Sequence, residues 1–598
     1  MPVYEVRFQP DGIRIQVGDN LTILEAAQRA GIVLNSFCGG IGTCRKCLVE
    51  LPDGPEPLRA CQYHIHSNLV VVIPENSRFF EQKILEEGIS RAQLLDPLIT
   101  KYHVKLTAPN LQDLRSDGRR LVDALSPGKI AGPHLISWPL LKKLPCVLRE
   151  NDYDVTAVCH DQNIIALEPG DTTGRLFGAA VDIGTTTVVA SLINLTDGKT
   201  VAVASQTNPQ VTFGDDVISR IQYCRDNKDG LEILHRRIIS GINELLRETC
   251  EKSGVEPTQI YELTAAGNAT MQHLFLKVPV AQIAQAPYVS AFADAVNVNA
   301  AQLGLDIHPE GNIYIMPSVA AHVGGDTVAV TLATAMRHSD KINMALDIGT
   351  NGEIVLGSRE KLLACSTAAG PAFEGARIRQ GMRGAAGAIE RVHIHEDVEL
   401  LVIGGQAPTG ICGSGLIDAV AELLIAGVLD NSGRLRNHDE LPENINPALR
   451  RRLIKFEGNP AFILSFASQT KHGEDILLTQ RDIRELQLGK GAIHAGLVTL
   501  INHLGIETSN IDRLYLAGAF GNYIRPESAR RIGLLPDIEL AKIQGVGNAA
   551  STGAKEVLLN KQARQHAEQL SREIEYVELA SRKEFQEIFT SSMMFPES

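Results

Sequence analysis

The sequence predicts a multidomain α/β protein: a small β-rich domain, a linker, a small middle domain and a large domain with a duplicated core. Its 598 residues exceed what one hydrophobic core supports, because domains usually contain roughly 100 to 200 residues. Four of its ten cysteines crowd between positions 38 and 61. One strand-and-turn pattern occurs twice in the C-terminal part, as in folds built by duplication.

Composition and charge describe an ordinary globular chain, with 44% hydrophobic and 21% charged residues. Asp and Glu (70) outnumber Lys and Arg (57), so the net charge is −13. Such a chain lacks the basic surface that binds nucleic acid or anionic membranes. The N-terminus shows no secretion signal, and no apolar run reaches the roughly 18 residues of a membrane helix. We therefore expect a cytoplasmic protein whose partners are neither nucleic acids nor membranes.

Residues 1–75 are predicted to form a β-grasp domain. Alternating apolar residues indicate two strands around a Pro-Asp-Gly turn, then a helix, a cysteine-bearing loop and a second pair of strands. Gly31 is placed to end the helix. The predicted strands are 3–8, 13–17, 47–51 and 69–73, and the predicted helix is 21–30.

The four clustered cysteines are predicted to bind an iron–sulfur cluster. Five residues separate the first pair, two the second pair, and thirteen the third cysteine from the fourth. Thiolates on one loop plus a distant fourth are how [2Fe-2S] clusters are held, and three glycines let this loop wrap closely. Zinc is the alternative, because His64 and His66 follow the last cysteine. The predicted ligands are Cys38, Cys44, Cys47 and Cys61.

The segment Cys38-Gly-Gly-Ile-Gly-Thr-Cys44-Arg-Lys-Cys47 resembles the adrenodoxin-like branch of the [2Fe-2S] ferredoxins. The resemblance implies a one-electron carrier. The other six cysteines have no ligand spacing and are expected to be small buried hydrophobic residues. They are Cys146, Cys159, Cys224, Cys250, Cys365 and Cys412.

Three regions follow this domain. Residues 76–97 are charged and compatible with a helix, which suits a linker. Residues 98–174 are assigned to a small middle domain, with a helix at 111–125 and a strand-like stretch at 155–167. From residue 175 to the C-terminus, Gly- and Ala-rich strands alternate with amphipathic helices, which is the pattern of an α/β domain.

A strand that ends in Asp, Gly and polar residues occurs twice in this α/β domain. A glycine turn lets backbone amides approach phosphate oxygens, Thr and Asn side chains add donors, and a carboxylate can hold Mg²⁺ through water. A single copy is also typical of an ordinary tight hairpin, but two copies facing each other are predicted to grip a triphosphate. The copies are Asp182-Ile-Gly184-Thr185-Thr186-Thr187 and Asp347-Ile-Gly349-Thr350-Asn351-Gly-Glu353.

A third glycine-rich turn, Gly518-Ala-Phe-Gly521-Asn522, follows a predicted strand near the C-terminus. Its glycines leave room for an adenine and a ribose to lie on the backbone. Other nucleotide motifs fail, because the chain has no Walker A spacing and no G-x-G-x-x-G that opens a strand–helix unit.

Together the three turns resemble the phosphate 1, phosphate 2 and adenosine motifs of the acetate kinase, sugar kinase, Hsp70 and actin superfamily. The resemblance implies an actin/Hsp70-like ATPase domain over residues 175–598 that binds ATP and Mg²⁺, and the small-residue segments 489–496 and 547–554 fit its interdomain connectors.

The resemblance also assigns roles to single residues. Asp182 and Asp347 are expected to organise Mg²⁺. Glu353, Asp326 and Glu374 are candidates to orient the attacking water, although each also fits a structural acid. The expected nucleotide-binding residues are Gly184, Thr185, Thr186, Thr187, Gly349, Thr350, Asn351, Gly518 and Gly521.

Further segments resemble signatures of the reductive activators of corrinoid proteins, and they span almost the whole chain. The resemblance implies an ATP-dependent enzyme of anaerobic methyl-transfer systems that passes one electron from its [2Fe-2S] cluster to the inactive Co(II) corrinoid of a partner protein, restoring Co(I). It also implies an upstream electron donor and a homodimer. The segments are 208–220, 267–273, 324–326, 369–375, 410–415 and 593–596.

Three alternatives stay open at this point. The chain could be an ATP-driven activator of another low-potential enzyme, such as a 2-hydroxyacyl-CoA dehydratase, although those activators carry a [4Fe-4S] cluster between two subunits. It could be a redox adaptor that hydrolyses no ATP and uses the duplicated fold only for docking. It could also be a sugar or acetate kinase fused to a ferredoxin, but no segment suggests a sugar pocket.

Overall fold

The structure is a computed structural model, and the predicted fold class is confirmed: a β-grasp domain precedes a mixed α/β body with a duplicated core. Within the residues that the structure describes, no helix is both long enough and apolar enough to cross a membrane. The described residues are 2–9, 13–30, 32, 34, 47–52, 54, 57–74, 95–125, 135–214, 216–349, 351–375, 377–382, 384, 386–521 and 523–597.

The N-terminal domain is a small sheet with one helix. Its helix starts later than predicted because Thr22 and Glu25 form a capping box: the Glu25 carboxylate accepts from the Thr22 N–H at 2.8 Å, and Thr22 Oγ1 accepts from the Glu25 N–H at 3.2 Å. The predicted strands are confirmed, and Gly31 lies outside the described residues. The elements are β1 (Val3–Gln9), β2 (Ile13–Gly18), α1 (Ile23–Arg29), β3 (Leu48–Val49), β4 (Leu58–Arg59) and β5 (Leu69–Val72).

In this domain β1 pairs antiparallel with β2 and parallel with β5, while β3 and β4 form a separate two-stranded ribbon. Val6, Phe8, Ile23, Val49 and Val71 are fully buried in its core. The core is therefore shared by both sets of strands and the helix.

The middle region, residues 98–174, is a four-stranded sheet covered by two helices. The strand predicted at 155–167 is wrong in one respect: it is a hairpin that turns at Asp161, where φ is 51°. The helix predicted at 111–125 begins only at Asp117, because the chain first turns between Asn110 and Asp113. The elements are β6 (Ile99–Lys105), α2 (Asp117–Leu125), β7 (Leu135–Ile136), α3 (Trp138–Glu150), β8 (Asp154–His160) and β9 (Asn163–Pro169).

The first lobe of the large domain is built on a six-stranded sheet with the order β12-β11-β10-β13-β15-β14. Glu168 links the middle region to this lobe. Its carboxylate accepts from Lys101 Nζ of β6 in the middle region and from the Tyr261 hydroxyl of the first lobe, both at 2.5 Å. The elements are β10 (Phe177–Ile183), β11 (Thr187–Asn194), β12 (Thr200–Thr207), α4 (Val217–Asp226), α5 (Gly230–Ser253), β13 (Ile260–Gly267), α6 (Ala269–Phe275), β14 (Val296–Asn299), α7 (Ala300–Leu303), β15 (Asn312–Ile315) and α8 (Gly325–Ala333).

The second lobe has a matching six-stranded sheet, β26-β25-β16-β17-β18-β27, and two three-stranded sheets, β20-β19-β21 and β22-β23-β24. The elements are β16 (Asn343–Ile348), β17 (Gly352–Gly357), β18 (Leu362–Thr367), β19 (Ala388–Ile394), β20 (Val398–Val402), β21 (Gly410–Ile411), α9 (Gly413–Ile425), α10 (Pro447–Arg452), β22 (Leu453–Phe456), β23 (Asn459–Ser465), β24 (Ile476–Thr479), α11 (Gln480–Leu504), β25 (Arg513–Ala517), α12 (Gly518–Gly521), α13 (Pro526–Arg531), β26 (Ile543–Gly547), α14 (Ala549–Leu559), α15 (Lys561–Glu573), β27 (Ile574–Tyr576) and α16 (Lys583–Ser592).

The duplication predicted from the sequence is visible in the strand pairing. β10 pairs antiparallel with β11 and parallel with β13, and β16 pairs in the same way with β17 and β25. Alternate residues of these strands enter different cores, because side chains alternate between the faces of a strand. Ala180, Ala345 and Val355 pack in one apolar core shared by both lobes, whereas the residues flanking each of them pack in the core of their own lobe.

Two helices that follow β26 in the sequence pack on the first lobe. α14 contacts α8, β10 and β13, and α15 also contacts α8. The approach is very close at Gly553, where a Cβ would fall 2.2 Å from the carbonyl oxygen of Ala329. Segment 547–554 thus joins the lobes as a connector would, whereas segment 489–496 packs within the second lobe, with Gly496 against Thr367.

The C-terminal tail covers a buried lysine of α11. Lys490 is 1% exposed, its ammonium donates to the Met594 carbonyl, and it lies 5.0 Å from the ring centroid of Phe595. The Phe595 N–H donates to the Asn431 carbonyl at 2.8 Å. Burial lowers the pKa of Lys490 to about 7.

This lysine predicts a pH dependence of stability. Between pH 7 and the ordinary lysine pKa, the unfolded chain binds one more proton than the folded chain, so the free energy of unfolding rises with pH by at most about 1.4 kcal/mol per unit. We expect the unfolding midpoint of the wild type to rise from pH 7 to pH 9 relative to that of Lys490→Met. Lys455→Met, at an exposed position of β22, is the control. Parallel pH profiles of wild type and Lys490→Met would contradict this reading.

Candidate active site

Four carboxylates lie where the two lobes face each other. Asp182 and Asp347 are the next-to-last residues of β10 and β16, each two residues beyond an alanine of the shared core, so both side chains point to the interlobe face. Glu353 of β17 shares this face with Val355, and Asp326 lies in the first turn of α8. The structure therefore brings together all four acids predicted as catalytic.

Burial and mutual repulsion disfavour the charged forms of these acids. Burial raises the pKa of Asp182 and of Asp347 to about 7 and that of Asp326 to about 6. The negative charges of Asp326 and Asp182 add to the effect at Asp347. Burial, and then the charges of Asp326 and Asp347, raise the pKa of Glu353 well above its usual range. Each of the four stays partly accessible to solvent. A cation that enters between the lobes would relieve this repulsion.

The two hairpins differ in one respect that the sequence comparison did not bring out. Asp347 lies directly opposite Glu353 across the β16–β17 pair, whereas Asp182 lies opposite Val189 across β10–β11. The first turn is one residue longer, since Ile183 pairs with Val188 but Ile348 pairs with Gly352. Like charges directly opposite each other destabilise a sheet. The second copy therefore carries an acid that folding alone does not require.

The first hairpin is held from behind by hydrogen bonds to its carbonyl oxygens. Asn208 donates to two of them, through Nδ2 to Gly184 O and through its N–H to Thr186 O, both at 2.8 Å. Arg220 donates to Thr185 O at 2.5 Å. In a trans peptide the N–H that follows a carbonyl points the opposite way. The amides of this turn consequently face away from the lobe interior, as phosphate binding requires.

The threonine side chain of this turn is also oriented. Asn268 caps α6 by accepting from the Met271 N–H at 3.0 Å, which fixes its amide, and its Nδ2 donates to Thr185 Oγ1 at 3.0 Å. Gly324 abuts the same Asn268, where a Cβ would fall 2.4 Å from Asn268 Cα. Three of the signature segments, 208–220, 267–273 and 324–326, thus converge behind one hairpin. Their spacing along the sequence did not predict this contact.

The second hairpin and the third turn meet at Asp347. Gly349 N–H donates to Asn351 O at 2.9 Å, which closes a tight turn, and Thr350 lies outside the described residues. Gly518 has φ of 86°, and a Cβ there would fall 2.4 Å from Asp347 Oδ1, so only glycine leaves both groups in place. Gly521 packs on Leu516 of β25. The predicted phosphate and adenosine turns are adjacent.

Asn548 joins the adenosine side of the second lobe to the first hairpin. It follows β26 directly, caps α14 by accepting from the Ser551 N–H at 2.8 Å, and donates from Nδ2 to Asp182 Oδ2 at 2.8 Å. This hydrogen bond favours the charged carboxylate and opposes the effect of burial on the pKa of Asp182. Sequence reasoning missed Asn548, because its partner is distant along the chain.

The residues present fit an ATP–Mg²⁺ complex better than a bare metal ion. Within the described residues, no three acidic, His or Cys side chains converge closely enough to enclose an ion. Mg²⁺ keeps several waters and binds through one or two carboxylates plus substrate phosphates. Asp182 and Asp347 suit such a role, whereas the side chain of Glu374 lies outside what the structure describes.

Two of the four predicted cluster ligands are described. Cys47 directly precedes β3 and Cys61 follows β4 after one residue, so the ribbon brings them to the same end, where the Ala60 N–H donates to Cys47 O at 2.8 Å. Both are buried and form no disulfide. Two buried thiols at the same end of one ribbon fit metal or cluster ligands. Cys38 and Cys44 lie outside the described residues.

Comparison with known protein families covers almost the whole chain. A 2Fe-2S iron-sulfur cluster binding domain matches residues 4–75, and the RACo linker region matches 88–174. The RACo middle region matches 177–339, and the C-terminal domain of RACo, the ASKHA domain, matches 341–598. The first match supports an iron–sulfur cluster rather than zinc in the N-terminal domain. The last match supports an ATPase fold in the C-terminal domain. The domain boundaries at 75, 97 and 174 stay predictions.

Relatives that align over most of the chain point the same way. The chain is 33% identical over 586 residues to the corrinoid activation enzyme RamQ of Eubacterium limosum, covering 97% of both chains. It is 25% identical over 421 residues to a [Co(II) methylated amine-specific corrinoid protein] reductase of Methanosarcina barkeri, covering 64% of this chain and 70% of that protein. A solved reductive activator for corrinoid, iron-sulfur protein superposes with a TM-score of 0.78 and 37% identity, covering 99% and 98% of the chains.

The fold and site define an iron–sulfur protein with a two-lobed ATPase fold of the ASKHA type. Within that class, the chain belongs to the family of reductive activators of corrinoid proteins.

Asn548 gives a direct test of the site. In Asn548→Asp the carboxylate can still cap α14 but places a negative charge against Asp182, so we expect the affinity for Mg-ATP to fall about tenfold or more while helix stability is kept. Isothermal titration and the unfolding midpoint measure the two effects. Asn560→Asp, at the residue that caps α15 through the Gln562 N–H, is the matched control. Equal losses of affinity in both variants would show that Asn548 acts only as a cap.

Proposed function

We propose that this protein is an ATP-dependent reductive activase, which passes one electron to the Co(II) corrinoid of a partner protein and restores Co(I) for methyl transfer. The observation that carries the proposal is the presence, on one chain, of a 2Fe-2S binding domain and of two phosphate hairpins whose acids face each other across an interlobe core. Relatives named for corrinoid activation align over nearly the full length, which supports this substrate.

Thermodynamics explains why both parts are needed. Plant-type [2Fe-2S] potentials lie near roughly −400 mV, and each ~59 mV of uphill one-electron transfer costs ~1.4 kcal/mol. Reduction of a Co(II) corrinoid with a still lower potential is unfavourable without an input of free energy. Binding or hydrolysis of ATP supplies it only if the nucleotide has different affinities for two states of the complex. Two lobes joined through a shared core are suited to provide those states.

The chain's own residues have distinct tasks in this proposal. Cys38, Cys44, Cys47 and Cys61 would hold the [2Fe-2S] cluster, which supplies one electron when bound. Asp182 and Asp347 would organise Mg²⁺ through water, and the hairpin amides would bind phosphate oxygens. An upstream donor returns the electron, so that each turnover consumes one reducing equivalent. A homodimer is part of the proposal on family grounds only.

Glu353 is our choice for the residue that accepts the proton of the attacking water. It is partly accessible, its Oε1 accepts from the Ser366 hydroxyl at 3.2 Å, and burial raises its pKa well above that of an ordinary carboxylate, which makes its ionised form a stronger base. The first hairpin has Val189 at the corresponding place, so the duplicated fold does not need an acid there.

Two single variants, tested side by side, separate electron delivery from ATP dependence. Purified, chemically reduced protein is mixed anaerobically with a Co(II) corrinoid protein, and Co(I) absorption is followed with and without Mg-ATP. Cys47→Ser should abolish electron delivery and spare ATP binding, whereas Asp347→Ala should abolish ATP dependence and spare the cluster. Cys146→Ser is the control, because Cys146 is exposed and not buried as the sequence predicted. If no cognate corrinoid protein yields ATP-dependent Co(I), the proposed function is wrong although the fold stands.

Glu353→Gln tests the hydrolytic step. The amide keeps the size of the side chain but cannot accept a proton, so we expect kcat for ATP hydrolysis to fall about 100-fold, with the Kd for Mg-ATP changed less than about threefold. Steady-state phosphate release and equilibrium titration measure the two. Asp326→Asn is compared in parallel. A larger loss of kcat in that variant would assign the water to Asp326.

A further inference from the structure

Arg220 of α4 is fully buried, yet its guanidinium reaches the first phosphate hairpin. Besides the bond to Thr185 O, it donates through Nε to Gly214 O at 3.0 Å and through Nη1 to Gln210 Oε1 at 3.2 Å. These acceptors belong to three different residues and are reached by three different guanidinium nitrogens, which suits the planar fork of arginine and not a lysine ammonium. Arg220 therefore links α4, the turn before it and the phosphate hairpin in one rigid unit.

The backbone around Arg220 is shaped to bring it there. A Cβ on Gly214 would fall 2.5 Å from Ser219 Oγ and 2.9 Å from the Arg220 N–H nitrogen, so the turn can press against α4 only with glycine at this position. Asp216 and Ser219 form a capping box that fixes the first turn of the helix. Gly214, Asp216 and Ser219 together therefore fix the position of the buried Arg220 side chain.

Its place behind the hairpin has two consequences for a bound anion. By holding Thr185 O, Arg220 turns the following peptide so that the Thr186 N–H faces away from the lobe interior, toward the solvent-accessible side of the turn. Its permanent positive charge also lies within one peptide unit of that site and is shielded from water, where electrostatic attraction is strong. The attraction grows with the number of phosphate charges and is absent for an uncharged nucleoside.

We propose that Arg220 is a positioning residue of the nucleotide site, which orients the first phosphate hairpin and supplies buried positive charge that makes the site select for the polyphosphate over the nucleoside. The proposal rests on the proposed function, because it requires ATP to bind at this hairpin. It assigns Arg220 no contact with the nucleotide.

The experiment compares Mg-ATP, Mg-ADP and adenosine by isothermal titration on the full chain. We expect Arg220→Met to lower the affinity for Mg-ATP by about 10- to 100-fold and that for Mg-ADP less, and to leave adenosine binding within about twofold. Arg220→Lys should lie between, because it restores charge without the fork. Arg564→Met is the matched control: Arg564 is also a buried arginine packed on the first lobe, where it donates to Glu262 Oε1 at 2.6 Å. It should lower the unfolding midpoint and leave the ratio of ATP to adenosine affinity unchanged.

A second variant covers the case in which Arg220→Met does not fold. Gln210→Glu keeps Arg220 in place but sets a carboxylate against its guanidinium, so Mg-ATP binding should weaken while adenosine binding holds. Equal losses for ATP and adenosine, or unchanged ATP binding in Gln210→Glu and Arg220→Lys, would overturn the proposal and leave Arg220 a structural residue. A wild type that binds no ATP would instead remove the proposed function.

Discussion

Repulsion among four carboxylates is the interaction on which the ATPase half of this protein depends. Asp182, Asp347, Glu353 and Asp326 reach the interlobe face from both halves of a duplicated fold, where burial raises the pKa of each. Packing against neighbouring apolar residues of the shared core keeps these charges close. Such a site is unfavourable without a ligand and favourable with a cation and its phosphates, so ligand binding and lobe geometry are coupled by charge.

The path of the chain makes that coupling mechanical. α14 and α15 pack on the first lobe, although the strands before and after them belong to the second sheet. The chain leaves the second sheet at Gly547, whose φ is 68°, and the next residue, Asn548, bonds to Asp182. A change in the charge or coordination of Asp182 therefore acts on Asn548, one residue after Gly547, where the chain passes from the second sheet to the first lobe. A connection of this kind needs only a few backbone torsions to act as a hinge.

Much of this arrangement was predictable from local sequence, because its signals are local. The two Asp-Gly turns and the glycine turn at Gly518 each lie at the end of a strand that sequence alternation identifies, and duplication implies that they face each other. The cysteine spacing likewise predicts a cluster loop without any tertiary information. The helix that begins at Asp117 and the hairpin at Asp161 were misjudged, since single turns decided them.

What the sequence could not show are contacts between residues far apart along the chain. Asn208 and Arg220 hold the backbone of the first hairpin from within the lobe, and Asn548 reaches Asp182 across the lobe boundary. None belongs to a nucleotide motif, and a buried arginine or a capping asparagine is in most places only structural. Their role follows from which carbonyl or carboxylate they meet, and strand pairing and helix packing decide that.

The two hairpins differ in the residue opposite the aspartate, and this difference suggests separate tasks for the two copies. Both turns keep the strand-terminal Asp, so both can share a cation and phosphates, but only the second sets an acid directly opposite it. The first instead has Val189 there and a backbone tied from behind by Asn208 and Arg220. A rigid, positively backed turn is suited to hold charge in place, whereas a second carboxylate with a raised pKa is, once ionised, a stronger base and is suited to accept a proton. In the proposed function, the two copies of one fold divide binding and chemistry between them.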